Sequence, residues 1–188
     1  MQSQAPTDIT ENRLLLLVNE QDAVVGTGKK LFVHQQALLH RAFSIFIFNA
    51  ANQMLIQRRA LSKYHSGGLW TNACCSHPIA NEPLEETLHA RLMEEIGLDC
   101  TLEFQFKFIY KAAFENGLTE HELDYVYVGY SDDEPVLNFE EADAFEWISM
   151  ENLRKMMDEK SEIFTVWFKI IVQKLFESGF EVNKKKHQ

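Results

Sequence analysis

Cys75 and His77 stand two residues apart in the stretch L-W-T-N-A-C-C-S-H-P at 69–78. In an extended strand, residues two apart project to one face, so a thiol and a candidate metal ligand would share a wall. Each has an ordinary reading when taken alone, since a free cysteine is commonly a small core residue. The pair gains weight because His34, His40, Glu120 and Glu122 supply more ligands of the same kind. Glu120 and Glu122 are again two apart. Two carboxylates side by side in a half-buried sheet repel unless a cation or a shared proton relieves them. These spacings point to a metal beside a reactive thiol, with Cys75 as the leading catalytic candidate.

Those side chains need elements to carry them. Residues 13–18 and 23–27 read as a hairpin, with Gly26 and Gly28 marking its end. Residues 29–40 are less regular. Residues 42–48, A-F-S-I-F-I-F, have the apolar, β-branched and aromatic content of a strand covered on both faces. Residues 54–59 read as its partner, with Leu55, Gln57 and Arg59 on one face. A helix starts at Asn81-Glu82-Pro83 and stops at Gly97. Proline suits its first turn, Glu85 and Glu86 complement the positive end of its dipole, and glycine suits its C-cap. Leu84, Leu88, Leu92 and Ile96 form its packed stripe, and Thr87, Arg91 and Glu95 the stripe beside it.

Residues 101–114 and 120–130 read as a second hairpin turning at Asn116-Gly117. It points Glu120 and Glu122 one way and Leu123, Tyr125 and Tyr127 the other. A strand at 144–148 and a short helix at 152–158 with Ser149 as N-cap come next. An amphipathic helix at 162–178 then turns Ile163, Val166, Trp167, Ile170, Ile171 and Leu175 inward. Residues 1–12 read as a flexible arm, 13–180 as a single domain and 181–188 as a disordered basic tail.

A net charge of −10 argues against nucleic acid as a partner, because phosphate neutralisation needs an electropositive face. A small phosphorylated ligand needs only a local cluster of cations. No apolar run approaches a membrane span, and the polar first dozen residues lack the pattern of a signal peptide. Three cysteines, two of them adjacent, do not form a disulfide framework and suit a reducing compartment. The expectation is a cytoplasmic protein acting as a monomer on a small molecule.

The helix and its approach resemble a degenerate Nudix box, whose pattern is G, five residues, E, seven residues, then R-E-U-x-E-E-x-G-U, with U aliphatic. Glu82, Leu92, Glu94, Glu95, Gly97 and Leu98 fit, while Ser76, Ala90 and Arg91 replace the first Gly, the Arg and the next Glu. The acid cluster of ordinary Nudix pyrophosphohydrolases is therefore incomplete. L-L-H-R-A-F-S at 38–44, R-R-A-L-S-K at 58–63, W-T-N-A-C-C-S-H-P at 70–78 and E-H-E-L-D-Y at 120–125 are similar to type I isopentenyl-diphosphate delta-isomerase.

That resemblance implies an α+β fold, a Nudix-like α/β/α sandwich with a mixed sheet. It implies that His34, His40, His77, Glu120 and Glu122 hold one divalent Mn²⁺, Zn²⁺ or Fe²⁺, a borderline-hard donor set. Glu95 matches the position of a second ion, Mg²⁺, brought with the substrate diphosphate. Lys30, Arg59, Lys63 and Arg91 match the basic residues around that diphosphate. Cys75, Glu122, Tyr110 and Trp167 match the reacting pocket. The implied reaction interconverts isopentenyl diphosphate and dimethylallyl diphosphate, with Glu122 and Tyr110 delivering a proton and Cys75 removing one. Two other readings are a Nudix pyrophosphohydrolase acting on a nucleoside diphosphate derivative and a non-catalytic metal-stabilised binding module.

Overall fold

The computed structural model describes residues 14–63, 65–178 and 180. The arm at 1–12 and the tail at 181–188 lie outside the described residues. Nine strands among the described residues form one mixed sheet. In chain order they are β1 (Leu14–Val18), β2 (Val24–Lys29), β3 (His40–Phe48), β4 (Gln53–Arg59), β5 (Trp70–Asn72), β6 (Cys74–Ser76), β7 (Leu102–Ala113), β8 (Thr119–Tyr130) and β9 (Ala142–Ser149). The helices are α1 (Lys30–Gln35), α2 (Leu84–Ile96), α3 (Met150–Glu159) and α4 (Val166–Glu177). Among the described residues no helix is long and apolar enough to cross a membrane.

The sheet has a helical layer on each face, giving the expected α/β/α sandwich. On one side Phe46, Phe48, Ile56, Val126 and Val128 pack against Leu153 of α3 and against Trp167, Phe168, Ile171, Val172 and Leu175 of α4. On the other, Phe43, Ile45, Ile47 and Leu55 meet Leu88, Leu92 and Ile96 of α2. Full burial of each such side chain contributes about 1.5–3 kcal/mol, so the alternation along β3 stabilises both layers at once. The helix at the C-terminal end starts later than its periodicity suggests. Residues Ser161–Ile163 form a separate 3₁₀ turn, and Phe168 and Val172 join the buried set. Gly97 ends α2 in the left-handed conformation at φ 64°, with its N–H donating to Met93 O.

The structure corrects two local expectations. Gly26 and Gly28 do not end β2, which continues to Lys29 and leads straight into α1. A Cβ on Gly28 would sit 2.7 Å from Val33, so glycine there admits the helix rather than a turn. The second correction concerns β3 and β4, which meet only at Phe48 and Met54. The run 70–76 bends at Ala73 and fills the opening between them, β5 pairing with β4 and β6 with β3. Asn72 holds that bend by donating through Nδ2 to the carbonyls of Ile45 and Cys74. The long partner of β4 is β9, and the long partner of β3 is β8, in parallel from His40–Glu122 to Phe48–Tyr130.

This register lines up the site. Directly paired residues share a face, so His40 on β3, Glu122 on β8 and Tyr110 on β7 form a row across three strands. Ser44 and Cys75 face each other across β3 and β6, four residues further along β3.

Candidate active site

His34 comes from the buried side of the short helix α1, His40 from the start of β3, His77 from just beyond β6, and Glu122 from β8. One ligand atom from each lies within 4.8 Å of the other three. His34 Nδ1 and His40 Nδ1 are engaged by the carbonyls of Lys30 and Leu38 at 2.7 and 2.8 Å. Those contacts put the ring proton on Nδ1 and leave Nε2 as the donor toward the cluster, the usual arrangement behind a metal-ligating histidine. His40 Nε2 is buried without a hydrogen bond, 3.5 Å from Glu122 Oε1, and His77 Nε2 is 3.0 Å from the same oxygen. Burial pulls the His34 imidazole down to about 4 and the His77 imidazole down to about 3, so both stay neutral, as metal ligands must. The donor set fits a divalent metal ion.

Glu120 lies outside this four-residue cluster. Its Oε1 is 3.4 Å from His65 Nε2, and its Oε2 lies 2.9 Å from Tyr110 Oη. Tyr110 Oη donates to Glu122 Oε2 at 2.7 Å. Burial and the neighbouring Glu122 charge push the Glu120 carboxyl well up. Burial acts on Glu122 in the same sense, but the His40 and His77 imidazoles beside it outweigh it and hold that group well down.

Cys75 and Cys74 do face opposite ways. Cys74 is fully buried in the layer under α2, whereas Cys75 is half-buried and packs toward the α4 layer, on the side of Tyr110 and Trp167. Burial, followed by the charges of Asp124, Glu122 and Glu120, pushes the Cys75 thiol well up. Trp167 is placed by the entry into α4, where Thr165 N–H donates to Trp70 O and Thr165 Oγ1 lies 3.1 Å from Thr71 Oγ1. The Arg59 guanidinium stands 5.3 Å over the Trp167 ring, although strand alternation placed Arg59 with Gln57 on the α2 side. The register with β9 shifts between Arg58 and Arg59, and the strand ends there.

Residues 38–168 match the family model for the NUDIX domain. The chain is 44% identical to isopentenyl-diphosphate Delta-isomerase 2 of Photorhabdus laumondii over 170 residues, covering 90% of this chain and 96% of that one. It is 45% identical to isopentenyl-diphosphate Delta-isomerase 2 of Aromatoleum aromaticum, covering 81% of each. The chain belongs to the isopentenyl-diphosphate Delta-isomerase family of NUDIX-domain proteins. Among solved structures, one from Deinococcus radiodurans aligns with a TM-score of 0.71 at 23% identity, covering 86% of this chain and 98% of that one. A MutT protein from Methanosarcina mazei aligns at 0.63 and 16%, covering 76% and 96%. At those identities the likeness is one of fold.

Within this isomerase-family chain, a second polar cluster lies toward α2. Arg91 reaches Glu95 at 2.8 Å, Glu94 at 2.6 Å and Glu141 at 3.4 Å. Lys63 pairs with Glu141 at 2.5 Å, and Gln57 Nε2 donates to Glu95 Oε2 at 3.1 Å. Lys63, Arg91 and Glu95 are therefore brought together, while Lys30 stands at the start of α1, where its charge acts on His34, His65 and His77. Sequence reasoning missed Gln57 and Glu141 as partners here. It also missed His65, which is buried, stacked on Phe114 at 4.7 Å and edge-on to Trp167 at 6.0 Å. Gln57 carried one signal, a polar residue amid apolar positions of a strand. His65 and Glu141 sit in loops, where no periodicity places a side chain.

Proposed function

We propose that this protein interconverts isopentenyl diphosphate and dimethylallyl diphosphate, the reaction in the names of its relatives. The observation that carries this reading is the gathering of Cys75, Tyr110 and Glu122 on the α4 side of the sheet, the side that also holds Trp167, with two kinds of proton-transfer group together. The reaction adds a proton to the terminal methylene of an unactivated alkene and removes one from the carbon on the other side of the resulting tertiary cation. It therefore needs two proton-transfer groups and no redox cofactor.

Glu122, with Tyr110 hydrogen-bonded to it, and Cys75 are the two proton-transfer groups: one gives the alkene its proton, the other takes one from the cation, and in the reverse direction they exchange roles. Trp167 would offer the cation the π-face that Arg59 leaves open, an attraction that strengthens as water is excluded. His34, His40, His77 and Glu122 would hold a divalent Mn²⁺, Zn²⁺ or Fe²⁺, with Glu120 joining them on giving up its proton, and the ion's charge would fix Glu122 and tune its acidity. Glu95 would take Mg²⁺ together with the substrate diphosphate, whose remaining charge would meet Lys30, Arg59, Lys63 and Arg91. The diphosphate then serves as the handle that orients an uncharged alkene.

The acids of α2 do not favour pyrophosphate hydrolysis. Arg91 occupies the position of a helix acid and neutralises both Glu94 and Glu95. The deciding assay incubates the metal-loaded protein with isopentenyl diphosphate and Mg²⁺. Dimethylallyl diphosphate is the expected product; release of inorganic phosphate or pyrophosphate without an alkene shift would move the assignment to a hydrolase.

A further inference from the structure

Two fully buried polar residues beside Cys75 have no part in the chemistry above. Asp124 follows Glu122 on the same face of β8, where the next two positions on that face are Val126 and Val128. Ser44 sits on β3, directly across from Cys75. Ser44 Oγ donates to Asp124 Oδ2 at 2.9 Å and lies 3.6 Å from Cys75 Sγ. The second oxygen of Asp124, Oδ1, is buried with no hydrogen-bond partner among the described residues. Burying a carboxyl without full compensation costs several kcal/mol, so a position with a merely space-filling task would carry another valine.

A hydroxyl has one proton to give and two lone pairs to offer. Ser44 Oγ is held in place by its bond to Asp124, and it meets Cys75 in either protonation state: a thiol can donate to its lone pairs, and a thiolate can draw its proton. In both forms the 3.6 Å contact ties the sulfur to one side of the residue. The same contact selects one of the three staggered positions open to a cysteine sulfur.

We infer that Ser44 and Asp124 are positioning residues for Cys75: Asp124 orients the Ser44 hydroxyl, and that hydroxyl fixes where the Cys75 sulfur points. This rests on the isomerase reading and on Cys75 as its proton-transfer group. Both residues lie too deep to touch the substrate, so their effect falls on the chemical step and not on diphosphate binding. Misplacing a reacting group by an ångström costs on the order of 10²-fold in rate.

The test uses the full-length, metal-loaded protein and isopentenyl diphosphate, with kcat and KM measured separately. Ser44→Ala should lower kcat by about 10–100-fold while KM stays within about twofold, and Ser44→Thr, which keeps the hydroxyl, should recover most of the rate. Because Ser44→Ala strands a buried carboxyl, the double variant Ser44→Ala/Asp124→Leu supplies a folded control; replacing both partners of a buried hydrogen bond by apolar groups is close to neutral for stability. It should melt near the wild type and remain as slow as Ser44→Ala. A double variant with the wild-type kcat overturns the inference, as does Ser44→Thr no faster than Ser44→Ala. Wild-type protein that does not isomerise the substrate, or a fully active Cys75→Ala variant, removes the reading beneath the inference and the inference with it. An active wild type, an inactive Cys75→Ala and an undiminished Ser44→Ala would remove the inference alone.

Discussion

Tyr110 Oη lies 2.7 Å from Glu122 Oε2, in a buried row that the pairing of β7 with β8 lays down. The same oxygen is 2.9 Å from Glu120 Oε2, yet a phenol has only one proton to give. Both contacts are satisfied when a protonated Glu120 donates to Oη and Oη donates to an ionised Glu122. The opposed environments of the two carboxyls agree with this, since burial and the Glu122 charge push Glu120 up while His40 and His77 hold Glu122 down. The repulsion expected of two adjacent carboxylates is relieved by a shared proton on one side and imidazoles on the other.

Tyr110→Phe removes that bridge while keeping the ring that stacks on Phe108. It should lower kcat by about 10²-fold, the lower end for loss of one proton-transfer partner, and leave the bound metal content unchanged. Steady-state kinetics and elemental analysis on one preparation check both halves. A variant with wild-type turnover would place Tyr110 outside the proton path.

The adjacent cysteines should differ in what they cost. Cys75→Ala should reduce isomerisation by about 10²–10⁴-fold without changing the melting temperature much. Cys74 is fully buried between β3 and α2, so Cys74→Ala should instead cost about 1 kcal/mol of stability and keep kcat. Thermal melts and initial rates on the two variants separate the effects. Equal losses of rate in two folded variants would contradict the opposed faces.

This contrast was legible in the sequence because alternation is a local property: residues one apart on a strand diverge, whatever the sheet does. For the same reason the stripe of α2, its glycine cap and the paired faces of β8 could be read directly. What could not be read was which strand lies beside which. The partnership of β3 with β8 joins residues 82 apart, from His40–Glu122 to Phe48–Tyr130, and the insertion of β5–β6 between β3 and β4 leaves no trace in either strand. The Ser44–Asp124 contact follows from that non-local register, and the turn of Arg59 away from the Gln57 face follows from the register shift between β4 and β9. His65 and Glu141 sit in loops, where tertiary contacts alone decide direction.

The His/Glu cluster should bind one divalent ion before substrate arrives, because its ligands are already gathered and two of its imidazoles are held by backbone carbonyls. Elemental analysis of protein kept from chelators should find about one ion per chain. Its removal should lower the melting temperature, since a ligand present at about 100 times its Kd stabilises the folded state by about 2.7 kcal/mol. His40→Ala should lose both the ion and the chelator-sensitive part of the melt. A melt indifferent to chelator, in protein with no ion, would count against a preformed site.

Asp22, far from this cluster in sequence, gives a pH-dependent term of its own. It accepts hydrogen bonds from Arg41, Lys107 and Tyr125, tying the β1–β2 turn to β3, β7 and β8. Burial pushes its carboxyl up, but the Lys107, Tyr125 and Arg41 hydrogen bonds outweigh that and leave it below its ordinary value of 3.8. A carboxyl depressed in the folded state stabilises above its unfolded pKa and loses that stabilisation as pH falls through the folded one. Asp22→Asn should therefore cost about 1 kcal/mol at pH 7, and the gap from wild type should close as pH drops below 3.8. Urea midpoints across that range provide the measurement, and a gap that widens in acid would reverse the sign of the argument.

The order of proton transfers leaves a mark on the product. If Glu122 adds a proton to the terminal methylene and Cys75 removes another from the far side of the cation, hydrogen from solvent enters at every turnover. In D₂O the dimethylallyl product should carry deuterium in a methyl group. Continued reversal should also label the carbon next to the one bearing diphosphate, through Cys75. The two labels report on the two residues separately: a slow Glu122 exchange would starve the methyl position, and a slow Cys75 exchange the other. A direct 1,3-hydride shift would move hydrogen within the substrate and leave the product unlabelled. An isomerised but unlabelled product, in D₂O with both groups exchanging, would thus discard the two-residue acid–base path while keeping the isomerase assignment. Label in the methyl group is the expected result, and it should appear from the first turnover, before reversal has had time to act.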